Sequence, residues 1–209
     1  MSRSSLKLNF GLDPNDWRLY QLRESDQRFH SFKLKIFERD HYTCSYCGFK
    51  SKEDFCVLNA DQNYKNNKGS NLVTACPLCA QCHFLPMIGM GVFKGGTFIY
   101  LPEMKQEELN ALCHVIFCSI ANGTEQSTLA QNIYNNLRLR SQEVEEHFGK
   151  GLSDPKMCAK MLVDTPLNNQ KAIAEFMFKS LRLLPSCNDF SDQVMNWSKQ
   201  ALEGLTQAS

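Results

Sequence analysis

The sequence predicts an α+β fold, with a cysteine-anchored N-terminal module that carries a β-hairpin and a mainly α-helical C-terminal half. Three observations predict it. Two CxxC pairs, Cys44-Ser45-Tyr46-Cys47 and Cys76-Pro77-Leu78-Cys79, stand 28 residues apart. Two apolar arms flank Gly95-Gly96 within Val92–Tyr100, as in a hairpin. From about residue 104 the apolar residues recur at helical spacing to the end of the chain.

The cysteine pairs are the most specific signal. One CxxC turn presents two thiolates from a tight loop, and two such turns build the closed tetrahedral sulfur shell of a structural zinc site. Cys44, Cys47, Cys76 and Cys79 are therefore the expected ligands of one structural zinc per chain. Gly48 follows the first pair, where a knuckle turns back and positive φ is useful. A metal with four thiolates has no open position for a reactive water, so this zinc serves folding and does no chemistry.

Around it, Leu6, Leu8 and Phe10 alternate with polar residues and predict a short strand before the turn at Gly11–Pro14. Phe29, Phe32, Ile36 and Phe37 predict a helix over 25–39. Phe55–Ala60 reads as a strand and Gln62–Asn71 as a loop. Ser70 or Asn71 is the expected N-cap of a helix carrying Leu72, Ala75, Cys76 and Cys79.

Five helices are expected beyond the hairpin. Leu109, Leu112, Cys113, Ile116 and Ile120 form one stripe; Leu129, Ile133, Leu137 and Val144 form another, ended by Gly149 or Gly151. Asp154-Pro155 marks the start of a short third, with Cys158, Met161 and Leu162. Ile173, Phe176, Ser180, Leu181 and Leu184 predict a fourth, closed by Pro185. A fifth carries Phe190, Val194, Trp197, Ala201 and Leu205. The expected organisation is a zinc module over 1–103 and a helical region over 104–209, packed together as one globular unit.

Composition narrows the function. The 209 residues hold 43% hydrophobic and 22% charged side chains, enough for a core and no sign of wholesale disorder. Ten cysteines without a signal sequence suit a reducing compartment, with four on zinc and the others mostly buried. Net charge is +1: residues 1–75 carry 12 basic and 9 acidic side chains, residues 76–209 carry 11 and 13. Neither half is the basic face that a phosphate backbone requires. No Gly-rich phosphate loop or GxSxG is present, and His30, His41, His114 and His147 have no acid or nucleophile at motif spacing.

Residues 36–80 resemble the zinc-stabilised branch of the HNH endonucleases. Glu38–Gly48 matches the approach to that family's first knuckle, Asn71–Cys79 its closing helix, and Leu58-Asn59-Ala60-Asp61-Gln62 the place of its Asp-His catalytic pair. The resemblance implies a catalytic metal, separate from the zinc, held by the first residue of the pair and by a His or Asn after the last CxxC. The His of the pair would be the general base. This chain keeps Asp61 and Asn71, but has Gln62 at the base position and Ala80 at the second ligand position. An amide cannot take a proton near neutral pH, so the resemblance implies a degenerate nuclease fold with no catalytic residues. A three-residue slip, aligning Cys79-Ala80-Gln81-Cys82-His83, would bring His83 to the ligand position but leaves Gln62 unrepaired. Cys56, Cys82 and His83 are candidates for part of a second metal site or for buried core.

From Leu6-Lys7-Leu8 to the Trp197 helix, the whole chain also resembles a family of coupling-complex subunits of the Dot/Icm type IVB secretion system. That resemblance implies a non-catalytic zinc-stabilised adaptor that binds the C-terminal extension of the DotL-like coupling ATPase and other coupling-complex subunits. It implies support for effector export, and a cytoplasmic protein held peripherally at the inner membrane through its partner. The alternatives are a metal-dependent HNH nuclease and a zinc-ribbon DNA-binding protein. Within the adaptor reading, the Met-rich segment Phe84–Phe93 is either a partner surface or core, and Trp197, Tyr134 and Phe176 are either interface anchors or core.

Overall fold

A computed structural model describes residues 6–91 and 93–207. Two short antiparallel sheets and nine helices, counted over these residues, are arranged around one continuous core. The alternating segment at Leu6–Phe10 joins no strand, which corrects the expected first strand. Helix α1 (Pro14–Glu24) begins at the last residue of the expected Gly11–Pro14 turn and runs over residues for which no element was expected. Asp13 caps it by accepting the Asn15 N–H at 2.9 Å, and Pro14 fits the first helical position. Its apolar residues make no clear stripe, so periodicity could not announce it. Tertiary packing holds it instead: Trp17 and Tyr20 both lie against Phe84 and Phe93.

Helix α2 (Gln27–Arg39) matches expectation, with Asp26 as N-cap and Phe29, Ile36 and Phe37 buried, although Phe32 is exposed. Strand β1 (Cys56–Asn59) pairs antiparallel with β2 (Leu72–Ala75), Cys56 facing Ala75 and Asn59 facing Leu72. The expected helix from residue 71 is thus a strand up to Ala75. Every residue of β2 is buried, and a strand buried on both faces shows no alternation to separate it from helix. Helix α3 (Pro77–Ala80) begins only after Cys76 and runs into a 3-10 stretch, Gln81–Met87, bent at Phe84.

The Met-rich segment is mostly core: Phe84, Leu85, Ile88 and Phe93 are buried, and Met90 is exposed. The hairpin expected over Val92–Tyr100 does not form. Val92 lies outside the described residues, and Phe93 makes an isolated bridge to Met90. Strand β3 (Gly96–Tyr100) pairs instead with β4 (Leu181–Pro185), Gly96 facing Pro185 and Tyr100 facing Leu181. A Cβ at Gly96 would lie 2.1 Å from the Leu184 carbonyl oxygen, so close strand approach requires glycine there.

Helix α4 (Gln106–Ala121) lies at the centre of the C-terminal half, packed on α5, α9, β4 and α3. Its Leu109, Cys113 and Phe117 are fully buried, and Phe117 meets Tyr134 edge to face. Truncating a packed phenylalanine of this kind to alanine costs about 3–5 kcal/mol. The expected second helix is two, α5 (Ser127–Leu139) and α6 (Ser141–Phe148). They separate at Arg140, whose carbonyl accepts the Tyr100 N–H of β3. Leu129 and Ile133 of that stripe are exposed, whereas Gly149, at positive φ, ends α6 as expected.

Helix α7 (Pro155–Asp164) starts at the predicted Asp154 cap, which accepts the Lys156 N–H at 2.8 Å. The fourth expected helix stops at Phe178 as α8 (Leu167–Phe178), and its supposed end, Leu181–Pro185, is the buried strand β4. Phe176 is 70% exposed and so is not core, whereas Tyr134 and Trp197 are. In α9 (Ser191–Gln207), Val194 and Trp197 are buried with the preceding Phe190, Ala201 is exposed, and the Leu205 side chain lies outside the described residues. No helix among the described residues is long and apolar enough to cross a membrane.

Candidate metal centre

The first cysteine pair sits in a turn at the end of α2. His41 and Tyr42 both take positive φ, reversing the chain in two steps. The Cys44 N–H then donates to the Phe49 carbonyl and the Gly48 N–H to the Cys44 carbonyl. Gly48 has φ +76°, the conformation predicted for it. Cys76 and Cys79 flank the start of α3, and the Cys79 and Ala80 N–H groups both donate to the Cys76 carbonyl.

A charged clamp fixes the distance between the two turns. Arg39 forks onto Asp40 with both nitrogens at 2.9 Å, and also donates to the carbonyls of Gly69 and Leu72. Asp40 in turn accepts the Thr74 N–H at 3.0 Å. Burial works against the Asp40 carboxylate, but the Arg39 guanidinium and the Thr74 amide outweigh it and hold the carboxyl below its ordinary range. The Ser45 N–H closes the assembly on the Thr74 carbonyl at 2.8 Å.

These devices bring the sulfurs of Cys44, Cys47, Cys76 and Cys79 within 4.8 Å of one another. Cys47 and Cys76 sulfurs are 3.6 Å apart. Ligands at about 2.3 Å around a tetrahedral zinc would be spaced at about 3.8 Å, whereas disulfide sulfurs lie at about 2.05 Å. All ten cysteines are free thiols. Cys44, Cys76 and Cys79 are buried and Cys47 is half-buried.

Protonation supports the same fit. Burial alone would raise the Cys44 thiol, but hydrogen bonds from the other three sulfurs bring it well below its ordinary value. Burial and the neighbouring sulfurs push Cys76 and Cys79 well up. A divalent metal would favour the thiolate form of its sulfur ligands. The donor set could hold a metal ion, and its all-sulfur chemistry suits zinc.

Helix α4 completes the site with two residues that the sequence did not single out for it. The Asn110 side-chain amide donates to the Cys79 sulfur at 3.2 Å, and to the Leu78 carbonyl. His114 Nε2 is 3.2 Å from the Cys76 sulfur. Were Cys76 a metal-bound thiolate, which only accepts, Nε2 would carry the hydrogen. The imidazole lies flat on Phe49, centroids 3.6 Å apart, with the Trp197 ring edge-on at 4.7 Å. Burial pushes the His114 pKa down to about 3, so the ring is neutral. Its partner Cys76 lies 38 residues away in the chain, outside any motif spacing. Asn110 and His114 share one helix face at i, i+4, but nothing in the sequence says which cysteines that face meets.

The other candidate residues are not gathered at the sulfurs. Asp61 accepts from Asn63 N–H, Asn66 Nδ2 and Asn71 Nδ2, at 2.9, 2.7 and 2.8 Å. Slight burial opposes these amides, which prevail and hold its carboxyl below the ordinary range. Gln62, at φ +59°, donates from Nε2 to the Asn9 carbonyl. Ala80 is fully buried. His83 is buried with Nδ1 3.0 Å from the Tyr64 hydroxyl, and burial lowers its pKa to about 3. The sulfur group contains Cys79 and not Cys82, against the three-residue slip; Cys82 faces the Leu78 carbonyl instead. Cys56, Cys82 and His83 are all buried and do not assemble into a second metal group among the described residues.

No known family profile matches the chain. A relative does: the type 4 apparatus protein DotN of Legionella pneumophila is 50% identical over 192 residues, covering 92% of this chain and 89% of that protein.

Proposed function

Because this chain belongs to the family of the type 4 apparatus protein DotN, we propose that it is a non-catalytic, zinc-stabilised adaptor of a type IVB secretion coupling complex. Its partners in this reading are the C-terminal extension of a DotL-like coupling ATPase and other subunits of that complex, and its role is to support effector export. The observation that carries it is an identity of one half sustained over nearly the full length of both chains.

Cys44, Cys47, Cys76 and Cys79 would hold one zinc, which would offset part of the charge of the four thiolates and tie the end of α2 to the start of α3. The order β1, β2, α3 around those cysteines supports a degenerate HNH-like origin for the module. Non-catalysis is supported by the local chemistry. The Asp61 oxygens are taken up by three amides, Gln62 has no basic atom, and Ala80 has no ligand atom. For partner contact, α8 offers Leu167 and Phe176, at 84% and 70% exposure. An aromatic ring presented in this way is suited to anchor a partner segment.

Fractionation tests the reading. The protein should pellet with membranes when the ATPase is present, and turn soluble when the ATPase lacks its C-terminal extension. Unchanged membrane association after that deletion would reject the partner.

A further inference from the structure

Residues 6–10 have the pattern of a strand but no sheet. Leu8 is buried, Leu6 and Phe10 are half-buried, and Lys7 and Asn9 between them are exposed. The segment is pinned at both ends, by Leu6 N–H on the Ser45 carbonyl and Gly11 N–H on the Cys82 carbonyl. Between the pins, among the described residues, only the Asn9 carbonyl is engaged, by Gln62. The backbone groups of Lys7, Leu8 and Phe10 make no hydrogen bond among the described residues. Such a row needs water or another strand.

The same segment forms one wall of a cleft of about 950 Å³, closed on its other sides by the start of α4, by α8 and by Arg182 of β4. Phe10 and Phe178, with ring centroids 4.5 Å apart, give it apolar surface. Its charge is one-sided. Lys7, Lys105, Lys171, Lys179 and Arg182 line it, against the carboxylates of Glu107 and Glu175. Lys171 leans towards Glu175 at 3.9 Å, and Arg182 spends its N–H groups on the carbonyls of Met104, Phe178 and Leu181. Lys7, Lys105 and Lys179 are exposed and make no ion pair among the described residues. Glu107, 7% exposed, has no hydrogen-bond partner there either, and offers one acceptor to an incoming N–H or ammonium group.

We propose that this cleft is a docking site for an acidic, extended segment of another protein. The segment adds as a strand along residues 7–10 and sets its carboxylates against Lys7, Lys105 and Lys179. Free phosphate compounds fit less well. They would leave the backbone row unpaired, and the α4 N-terminus that faces the cleft already carries Glu107 and Glu108, the latter bonded to the Lys105 N–H. Phe176 is not among the α8 residues that line this cleft, and the proposal does not rest on the ATPase contact.

The test is a random-peptide display selection on the full metal-loaded chain, run in parallel on a Lys105→Glu/Lys179→Glu double variant. Both lysines are exposed, so the variant should melt as wild type does. Peptides enriched on wild type should be rich in Asp and Glu, bind the double variant at least about tenfold more weakly, and weaken as salt is raised. Asn9→Pro, which deletes one backbone donor and no charge, should weaken them too. Enrichment of neutral or basic peptides, equal binding to both proteins, or no enrichment overturns the proposal. So does ATP binding that the double variant loses while no peptide is selected, which would assign the cleft to small anions.

Discussion

His114 Nε2 lies 3.2 Å from the Cys76 sulfur, so a helix from the C-terminal half reaches the N-terminal group of four cysteines. Asn110, one turn earlier, does the same to Cys79. The centre is thus built by three stretches of chain: the α2 turn, α3 and α4.

His114→Phe and Asn110→Leu should leave all four sulfurs in place yet loosen the metal. Outer hydrogen bonds of this kind are worth about 10–100-fold in metal affinity. Competition with a chromogenic chelator should show metal leaving the variants earlier than wild type. Identical competition curves would mean that these contacts do no more than pack.

Removing a ligand should be far more severe. Structural zinc supplies on the order of 10 kcal/mol of folding free energy in small modules, so Cys79→Ser should give partly unfolded or insoluble protein. Cys113→Ala, in the same core but not one of the four grouped cysteines, should keep one zinc per chain and a cooperative melt. A metal-free Cys79→Ser protein with wild-type melting would sink the assignment.

Catalytic silence is the third expectation. Purified protein should not cleave plasmid DNA or RNA with magnesium, manganese or nickel, because no base stands at Gln62. Nicking by wild type that Asp61→Ala abolishes would restore the nuclease reading.

Acid stability should report the buried histidines. His83 and His114 have pKa values lowered to about 3 by burial, against about 6.5 in the unfolded chain. Between those values the unfolded state binds more protons, so stability falls as pH drops from 6.5 towards 3. Each histidine contributes about 1.4 kcal/mol per pH unit. His83→Gln should remove one proton from the slope measured by denaturant titration between pH 6.5 and 5. An unaltered slope would show that His83 charges freely in the folded protein.

Phe176→Ala should weaken capture of the partner segment without lowering the melting temperature, since the ring is 70% exposed. Copurification with the tagged ATPase extension reads the first property and calorimetry the second. Full capture by the variant would remove Phe176 as an anchor.

What the sequence disclosed was local. The CxxC spacing named four sulfurs that do converge, and Asp154-Pro155 and the Phe190–Trp197 stripe announced α7 and α9 through capping and a 3.6-residue period. Strands β2 and β4 were hidden because they are short and almost wholly buried, and so lack the alternation that separates strand from helix. Helix α1 was hidden for a different reason, since its partners Phe84 and Phe93 are distant in sequence. The N–H···S contacts from α4 were illegible because a helical face does not state what it will meet.

The pairing of β3 with β4 carries a consequence for synthesis. A ribosome releases Gly96–Tyr100 long before Leu181–Pro185 exists, so β3 must wait with its backbone unpaired while most of the helices emerge. Closing so distant a pair incurs the loop entropy first and gains contacts only at the end. The growing chain should therefore be most prone to aggregate just before Leu181–Pro185 is made. Truncation before residue 181 should yield inclusion bodies even though all four grouped cysteines have already been translated.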